Sequence, residues 1–572
     1  MKRKGLLGAI LIFAVAVWGC VSLYHSQNAV VLEWKNSIKI AVNNLQLPSI
    51  EQEEKGLTGA ITETAYLNGE ITDKRVPAAG QDGKKVLHWE KGSRLVDYAN
   101  GFLADFSADA QFDFSRSALW VQVTEGDLTI KISREYSTEP DSREYCKWYF
   151  DRFMTDPVHL EENGLFLTHE PEDGAGGSYW FSVGGQEQYA YAFVPTNSRI
   201  FYRILFRYPE DSPAIEQRMD QLLNSFRWFK PKGKATYTKQ HHLQIPQEWS
   251  EETKEVFQSI LDTDSIYWGI FADQMLTRGT DTIIPQLEEK LEYDFPVVLY
   301  YLPYGDAFPV EFMEQNYQKG KVVELTCQLS GYSNEKLYGF TPQLAAYRGL
   351  EDETIREMAR GAKKFGHPFL FRLNNEMNSD WTNYSGVTVL EDPDIYVEVW
   401  RRFYRIFQEE GVTNAIWIFN PNDRDYPPAN WNHFMAYYPG DEYVQLIGIT
   451  GYNTGTYYKE TKNETWREFR EIYDRLEDRM KPYFSEFPWM ITEFSSSSIG
   501  GDKARWMKRM FDQIGEYPNI KLAVWFHFAD FDPEHPQTVA RPYWLDETEE
   551  TLDAAKKGLK NRPKWPFESQ RR

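Results

Sequence analysis

The chain has 572 residues, which is more than one ordinary domain holds, so two or three domains are expected. Its hydrophobic content of 42% is that of a globular protein, and no long stretch has the composition of a disordered segment. The formal net charge of −22 argues against a nucleic-acid-binding protein, because phosphate binding needs a basic face.

The N-terminus has the pattern of an export signal. The basic residues 2–4 precede an apolar run over residues 5–24, and such a run is also long enough to span a bilayer as a helix. Residues 17–20 (VWGC) resemble a bacterial lipoprotein cleavage box. We therefore expect residues 1–25 to be a cleaved signal, a membrane anchor or a lipid anchor. Each of these places the rest of the chain outside the cytoplasm.

The next part of the chain consists of two segments with different residue patterns. Residues 26–84 are polar, weakly patterned and end in VPAAGQDGKK, which favours a stalk or linker. Residues 85–235 alternate in short apolar runs, which predict a small α+β domain of unknown role. Within it, hairpins are predicted to turn at residues 125–127 and 195–198, and a helix is predicted over about 212–225.

From residue 245 to 565 apolar runs alternate with amphipathic helical patterns. Eight such runs followed by helices predict a (β/α)8 barrel, so the fold class is α/β. A doubly wound open sheet is the rival, but no glycine-rich phosphate loop follows the first run. The predicted strands are 265–272, 295–304, 321–330, 367–378, 414–422, 444–453, 488–496 and 520–530, and the clearest helical patterns are 351–366, 394–411, 463–480 and 502–515.

The three cysteines are far apart and show no metal-ligand spacing, so they predict no metal site. Cys327 lies inside an apolar run and is interpreted as a buried thiol. A bond between Cys146 and Cys327 stays open, although nothing in their spacing favours it. Cys20 belongs to the N-terminal segment.

Two glutamates stand where apolar strands end. Active sites of (β/α)8 barrels form at the C-terminal ends of the strands. Glu376 lies at the end of the fourth predicted strand and Glu493 at the end of the seventh, so the two strand ends can face each other across the mouth of a closed barrel. Retaining hydrolysis of a glycosidic bond needs two carboxyl groups roughly 5–5.5 Å apart. The structural alternative is that each is an ordinary surface residue at a strand end.

The segments around these glutamates resemble glycoside hydrolase family 26, a β-mannanase-like family of retaining (β/α)8 glycosidases. HPFLFRLNNEMNSDW is similar to its acid/base segment and PWMITEFSS to its nucleophile segment. YYPGDEYVQLIGITGYN and AIWIFNPN resemble its sixth and fifth strands, and the similarity covers about residues 260–550. The resemblance implies an endo-β-glycanase without cofactor or metal. Its first-choice substrate is β-mannan, with β-glucan and xylan as variants.

The resemblance also implies roles for individual residues. Glu376 would be the general acid/base and Glu493 the nucleophile. Arg372 would keep the nucleophile ionised through a charge-assisted hydrogen bond, and Tyr452 would donate its hydroxyl to Glu493. Trp525 would form the hydrophobic floor under the reacting sugar. For each of the last three, a purely structural role inside the barrel is the alternative.

Two further residues flank the predicted acid/base. Trp381 would stack on a neighbouring sugar or pack its own loop. The family usually has His where this chain has Asn375, but Asn at that place occurs in the wider clan, where it binds the sugar 2-hydroxyl. Such a bond is worth several kcal/mol in the transition state of glycosidases. Asn375 therefore fits catalysis, and it leaves the mannan preference open because manno- and gluco-configured sugars differ at C2.

The implied reaction is a double displacement in which Glu376 starts protonated and Glu493 starts ionised. One alternative is a cell-surface protein that keeps the barrel to bind glycans without cleaving them. Another is a cell-wall protein in which the N-terminal domain does the work. The expected partners are a polysaccharide and, through residues 1–25, a membrane, but no nucleic acid. The sequence makes no prediction of the oligomeric state.

Overall fold

A computed structural model describes residues 60–563, apart from the stretches 74–79, 143–144, 146–164, 170–177, 184–186, 197–198, 211, 238–239 and 331–340. The predicted export or anchor segment and most of the predicted stalk lie outside the described residues. Within the described ranges, no helix has the length and apolarity that crossing a bilayer requires. The described residues divide into two compact units, one within residues 1–238 together with 429–431 and the other within residues 239–428 and 432–572.

The first unit combines antiparallel strands with a helix. Its described elements are β1 (Thr62–Leu67), β2 (Glu70–Thr72), β3 (Gly83–Trp89), β4 (Gly92–Asp97), β5 (Phe102–Phe106), β6 (Gln111–Asp113), β7 (Val121–Glu125), β8 (Leu128–Tyr136), β9 (Leu165–His169), β10 (Ser178–Val183), β11 (Glu187–Pro195), β12 (Ile200–Tyr208), α1 (Pro213–Ser225) and β13 (Arg227–Trp228). One sheet has the order β13-β5-β4-β3-β1-β2 and the other β6-β7-β8-β12-β11-β10-β9. Apolar residues of both sheets and of α1, such as Val86, Ile204 and Leu222, share one core.

The structure of the first unit contains the two hairpins and the helix that its sequence predicts. The hairpin of β7 and β8 turns between Glu125 and Leu128, and β12 returns along β11 as predicted. The helix α1 begins at Pro213, since the side chain of Ser212 accepts a hydrogen bond from the backbone of Ile215. The predicted hairpins and helix are therefore confirmed.

The predicted stalk over residues 26–84 is wrong for its C-terminal part. β1 and β2 form a hairpin there, and β1 pairs with β3 along its whole length. The turn at Asn68 and Gly69 uses positive φ angles of 51° and 83°. The strand escaped prediction because its first residues are exposed and polar, which removes the apolar alternation that marks a half-buried strand.

The second unit is built on a closed barrel of eight parallel strands. They are β14 (Tyr267–Ala272), β15 (Val297–Pro303), β16 (Val322–Gln328), β17 (Phe369–Leu373), β18 (Ala415–Phe419), β19 (Leu446–Thr450), β20 (Trp489–Phe494) and β21 (Ile520–His527). Each lies within one predicted apolar run, so the (β/α)8 barrel is confirmed. The runs are apolar throughout because strands of a parallel barrel are buried on both sides.

Helices and short strands surround the barrel. They are α2 (Glu251–Asp262), a π-helix (Met275–Ile283), α3 (Ile284–Leu291), α4 (Val310–Gln318), α5 (Pro342–Tyr347), α6 (Asp352–Phe365), α7 (Pro393–Glu409), α8 (Lys459–Lys462), α9 (Phe469–Phe484), α10 (Lys503–Gln513), β22 (Ala529–Phe531), β23 (Val539–Pro542) and α11 (Glu549–Leu559), with 3-10 turns at Gly386–Thr388, Phe434–Tyr437, Asp441–Tyr443 and Ile514–Glu516. The helix predicted from residue 463 begins at Phe469 instead. Its first turn is fixed by a capping box between Glu468 and Glu471.

The barrel interior changes from apolar to polar along the strands. Side chains of alternate strand residues, such as Val297, Leu299, Leu370 and Ile416, fill its lower layers. Towards the C-terminal ends the interior residues become polar, and this polar layer carries the candidate site.

Candidate active site

A cavity of about 1280 Å³ opens where the strands of the barrel end. Its lining comes from the ends of β14 to β17 and β19 to β21 and from the loops that follow the strands. Glu376 and Glu493 both line it, so the structure brings the two predicted carboxyl groups to one cavity. Asn375, Trp381 and Tyr452 line it as well.

Glu376 follows β17 in a constrained backbone. Its φ is +57°, an uncommon conformation for a residue with a side chain, and its backbone N–H donates to the carbonyl of Asn420 at 2.8 Å. Burial raises the pKa of its carboxyl to about 7, while the charge of Arg372 opposes the rise and that of Asp423 adds to it. Such a carboxyl keeps its proton near neutral pH, as a general acid must.

Glu493 reaches the cavity through a bulge in β20. Ile449 of the neighbouring strand pairs with Ile491, whereas the next residue, Thr450, pairs with Glu493, so Thr492 is the extra residue. The hydroxyl of Thr492 donates to Asn420 inside the barrel at 3.0 Å, and Glu493 lines the cavity. A regular strand turns successive side chains to opposite faces, so the bulge is what directs both residues inward.

Two donors meet at one oxygen of Glu493. Arg372 donates from Nη2 to Oε2 at 3.1 Å, and the hydroxyl of Tyr301 donates to the same oxygen. Arg372 is fully buried and is held by Thr326 (2.6 Å from Nε) and by Asn420 (2.9 Å from Nη1). The structure thus brings Arg372 to the predicted nucleophile, fixed on three sides.

The surroundings of Glu493 have two opposite effects on the pKa of its carboxyl. Burial raises the pKa of Glu493 to about 8, and the charge of Asp530 adds to the rise. The donors Arg372 and Tyr301 have the opposite effect, because hydrogen bonds to a carboxylate favour its charged form. Arg372 cannot lose its charge, so the contacts at Oε2 fit a carboxylate. Within the described residues, the carboxyl of Glu376 accepts no comparable hydrogen bond.

The hydroxyl expected from Tyr452 comes from Tyr301 instead. Tyr452 lines the cavity, but its ring packs against Phe526 and Tyr543 and, among the described contacts, its hydroxyl does not reach Glu493. Tyr301 was missed by the sequence analysis. Tyr301 lies two residues after the interior residue Leu299 and shares its strand face, but the sequence alone does not mark Leu299 as interior.

Trp525 is not the floor of the cavity. It is 1% exposed, packs against Phe494 and Trp506, and donates from Nε1 to the carbonyl of Tyr543 at 2.8 Å. The next residue, Phe526, lines the cavity and stacks on Phe271. The prediction fails by one residue because neighbouring strand residues point to opposite faces of the barrel wall.

The two residues predicted beside the acid/base have different environments. Trp381 is 55% exposed at the cavity, so its ring face is free for a ligand. Asn375 is 1% exposed, and its side-chain oxygen accepts hydrogen bonds from Gln328 and Tyr384. Neither Gln328 nor Tyr384 was singled out from the sequence.

A third carboxyl lies one layer below the cavity. Glu324 of β16 is 0% exposed and stands in register with Leu299 and Leu370 of the neighbouring strands. Its Oε1 is 3.1 Å from Nε of Arg372, and neither oxygen accepts a hydrogen bond from the described residues. Burial raises the pKa of Glu324 to about 8, with the charge of Arg372 opposing. The signal in the sequence was an acidic residue inside the apolar run KVVELTCQLS.

Within the part of the chain that the structure describes, no cluster of three or more His, Cys, Asp or Glu residues is arranged to hold a metal ion. Cys327 is a buried free thiol, as predicted, and burial raises its pKa to about 12. Cys20 and Cys146 lie outside the described residues.

The sequence around this geometry matches a known family. Residues 343–477, which include β17, Glu376 and β19, match the family model for glycosyl hydrolase family 26. The match supports assigning this part of the barrel to that family. The matched segment is shorter than the barrel and ends before β20. The family match therefore does not include Glu493, whose position at the cavity comes from the structure alone.

Relatives of the chain include two curated enzymes. Endoglucanase H of Acetivibrio thermocellus is 30% identical over 230 residues, which are 39% of this chain and 23% of that protein. A mannan endo-1,4-beta-mannosidase of Bacillus subtilis is 32% identical over 101 residues, which are 17% of this chain and 26% of that enzyme. The chain thus spans about a quarter of the length of each relative.

A solved structure similar to the chain is a modular endo-beta-1,4-mannanase from Cellulomonas fimi. The likeness covers 56% of this chain and 76% of that one, at 14% sequence identity and a TM-score of 0.41.

Proposed function

We propose that the barrel hydrolyses a β-linked polysaccharide with retention of configuration. The observation that carries the proposal is the contrast between two buried glutamates at one cavity. Oε2 of Glu493 is held by Arg372 and Tyr301, which suits an ionised nucleophile. Among the described residues no such donors reach the buried carboxyl of Glu376, and burial raises its pKa, which suits a proton donor.

The proposed cycle has two displacements. Oε1 of Glu493 attacks the anomeric carbon while Glu376 transfers its proton to the leaving glycosidic oxygen, which forms a covalent glycosyl-enzyme. Glu376, now a carboxylate, takes a proton from water as that water attacks the anomeric carbon and releases Glu493. Arg372 and Tyr301 keep the carboxylate of Glu493 oriented with Oε2 bound and Oε1 towards the cavity.

The cavity favours a neutral substrate with flat apolar faces. Rings of Trp381, Tyr452 and Phe526 line it, and its acidic residues outnumber its basic ones. Anionic polysaccharides are disfavoured in such a cavity by like-charge repulsion. β-Mannan is the first-choice substrate, supported by the similarity to the mannosidase of Bacillus subtilis.

β-Glucan is the second candidate. It is supported by the similarity to Endoglucanase H, which extends over more than twice as many residues as the similarity to the mannosidase. Asn375, in the place where the family usually has His, adds to this support. Xylan is a third substrate to test.

Product release from a polysaccharide panel tests the proposal. The full chain is assayed on β-mannan, mixed-linkage β-glucan, xylan and cello-oligosaccharides beside Glu376→Ala, Glu493→Ala and the exposed control Glu255→Ala. We expect cleavage of at least one polymer with retention, and a loss of about a thousandfold or more in the first two variants only. Inversion of configuration, or full activity in Glu493→Ala, would contradict the mechanism. Binding of a glycan without cleavage would favour the binding-only alternative.

We also propose that the protein works outside the cytoplasm. The basic residues 2–4 followed by the apolar run 5–24 support export or anchoring. Fractionation of cells that express the full chain, with and without residues 1–25, tests this. Retention of both forms in the cytoplasm would overturn it.

A further inference from the structure

The side-chain amide of Asn375 is held at its oxygen. Gln328, at the end of β16, donates from Nε2 to Oδ1 of Asn375 at 2.9 Å. The hydroxyl of Tyr384 lies 3.2 Å from the same oxygen and 3.0 Å from the backbone carbonyl of Asn375. Tyr384 is completely buried, and burial raises the pKa of its hydroxyl, which therefore stays a donor.

These contacts fix which end of the amide faces the cavity. If the amide were turned over, Nδ2 of Asn375 would face Nε2 of Gln328, which is a donor against a donor. With Oδ1 occupied, Nδ2 is left without a partner among the described residues. Asn375 is 1% exposed and lines the cavity, so this buried donor is directed towards a ligand.

We propose that Gln328 and Tyr384 are positioning residues that lock Asn375 as a hydrogen-bond donor to a sugar hydroxyl in the cavity. The inference rests on the proposed function, and it adds the two residues that set the direction of the bond. A donor fixed before binding loses little conformational freedom when the sugar arrives, so its hydrogen bond is strong. A sugar that lacks an acceptor oxygen at that place leaves Nδ2 unsatisfied and is discriminated against.

Two substitutions test the lock without removing Asn375. Gln328→Glu has almost the same shape but presents only acceptors when ionised, so Nδ2 of Asn375 turns towards it and Oδ1 faces the cavity. We expect kcat/KM on the cleaved polysaccharide to fall about tenfold or more at neutral pH, and to recover at acid pH as the new carboxyl gains a proton. Tyr384→Phe removes one of the two donors and is expected to lower kcat/KM by a smaller factor. Gln318→Glu, on an exposed helix end, controls for the added charge.

A double-mutant cycle separates positioning from structure. In an Asn375→Ala background, Gln328→Glu should have almost no further effect on kcat/KM, because the group it acts through is gone. A structural role would instead lower the Tm and multiply with Asn375→Ala. The inference is wrong if Gln328→Glu alone keeps most of the wild-type kcat/KM, or if the two changes multiply. In both cases the wild-type chain still cleaves its substrate and the proposed function stands. If the wild-type chain cleaves no β-glycan, the proposed function fails and the inference falls with it.

Discussion

The guanidinium of Arg372 contacts two buried carboxyl groups at the site. Its Nη2 binds Glu493 at the cavity, and its Nε lies 3.1 Å from Glu324 one layer below. A buried cation between two acids cannot neutralise both, so one of them is held protonated. The donors at Oε2 favour the charge on Glu493, which leaves Glu324 as the neutral acid.

This assignment predicts how Glu324 affects stability. A pKa of about 8 in the folded chain, against about 4.5 unfolded, means that the folded state binds the extra proton between these values. The stability contributed by that proton is present below about pH 4.5 and is lost as the pH rises to about 8. The side chain in Glu324→Gln does not titrate. The Tm of the variant minus the Tm of the wild type should therefore increase between about pH 5 and pH 8. An unchanging difference would contradict the assignment, and the exposed Glu353→Gln serves as the control.

Tyr301 offers a test of the nucleophile's environment. Tyr301→Phe removes one donor to Oε2 of Glu493, so the pKa of Glu493 should rise and the acid limb of the kcat/KM profile should move to higher pH. Since hydrogen bonds to charged groups are worth about 1.5–3 kcal/mol, we expect kcat/KM at the optimum to fall about tenfold or more. Tyr452→Phe is the matched control and should leave the acid limb in place. A shift of the limb in Tyr452→Phe alone would restore the sequence-based assignment.

At the scale of the strand, the sequence predicted which runs form the barrel but not which faces their residues occupy. All eight strands were predictable because parallel strands are continuous apolar runs between amphipathic helices. In such a run nothing distinguishes the interior face from the outer face. Trp525 was therefore placed in the cavity although it points away from it, and Tyr301 was overlooked although it points in.

The bulge in β20 had no visible signal either. The sequence shows WMITEF as a uniform strand, and the extra residue Thr492 emerges only from the pairing with β19. Glu493 was still found because it ends an apolar run. Its partners depend on contacts between strands far apart in the chain, such as β15 and β17. Such contacts cannot be derived from local pattern, so the predictable part of the site was the pair of glutamates.

The two faces of β21 give a prediction at this scale. Trp525→Phe leaves a void between the barrel wall and α10, so the Tm should fall while KM stays near wild type. Phe526→Leu keeps most of the volume but removes a flat ring from the cavity, so KM should rise while the Tm changes less. Tm measurements and steady-state kinetics on both variants check this. A rise of KM in Trp525→Phe alone would return Trp525 to the substrate floor.

At the scale of the whole molecule, charge selects the class of substrate. The chain carries a formal net charge of −22. In the described lining of the cavity, acidic residues also outnumber basic ones. Of the two basic residues in the described lining of the cavity, Arg541 is already paired with Asp530 and Glu464. The acidic residues of the lining are Asp273, Asp306, Glu376, Glu493 and Asp530, and the basic ones are Lys462 and Arg541.

A neutral β-glycan and its carboxymethyl derivative should therefore be cleaved at different rates. At low salt the anionic polymer is repelled by the chain and by the cavity, so its kcat/KM should lie well below that of the neutral parent. Raising the ionic strength from about 0.01 M to 1 M shortens the Debye length from about 30 Å to about 3 Å, which should narrow the gap. The neutral polymer controls for effects of salt on the enzyme itself. Equal rates at low salt, or a gap that salt does not change, would show that bulk at the carboxymethyl groups governs the preference and that the acidic lining does not.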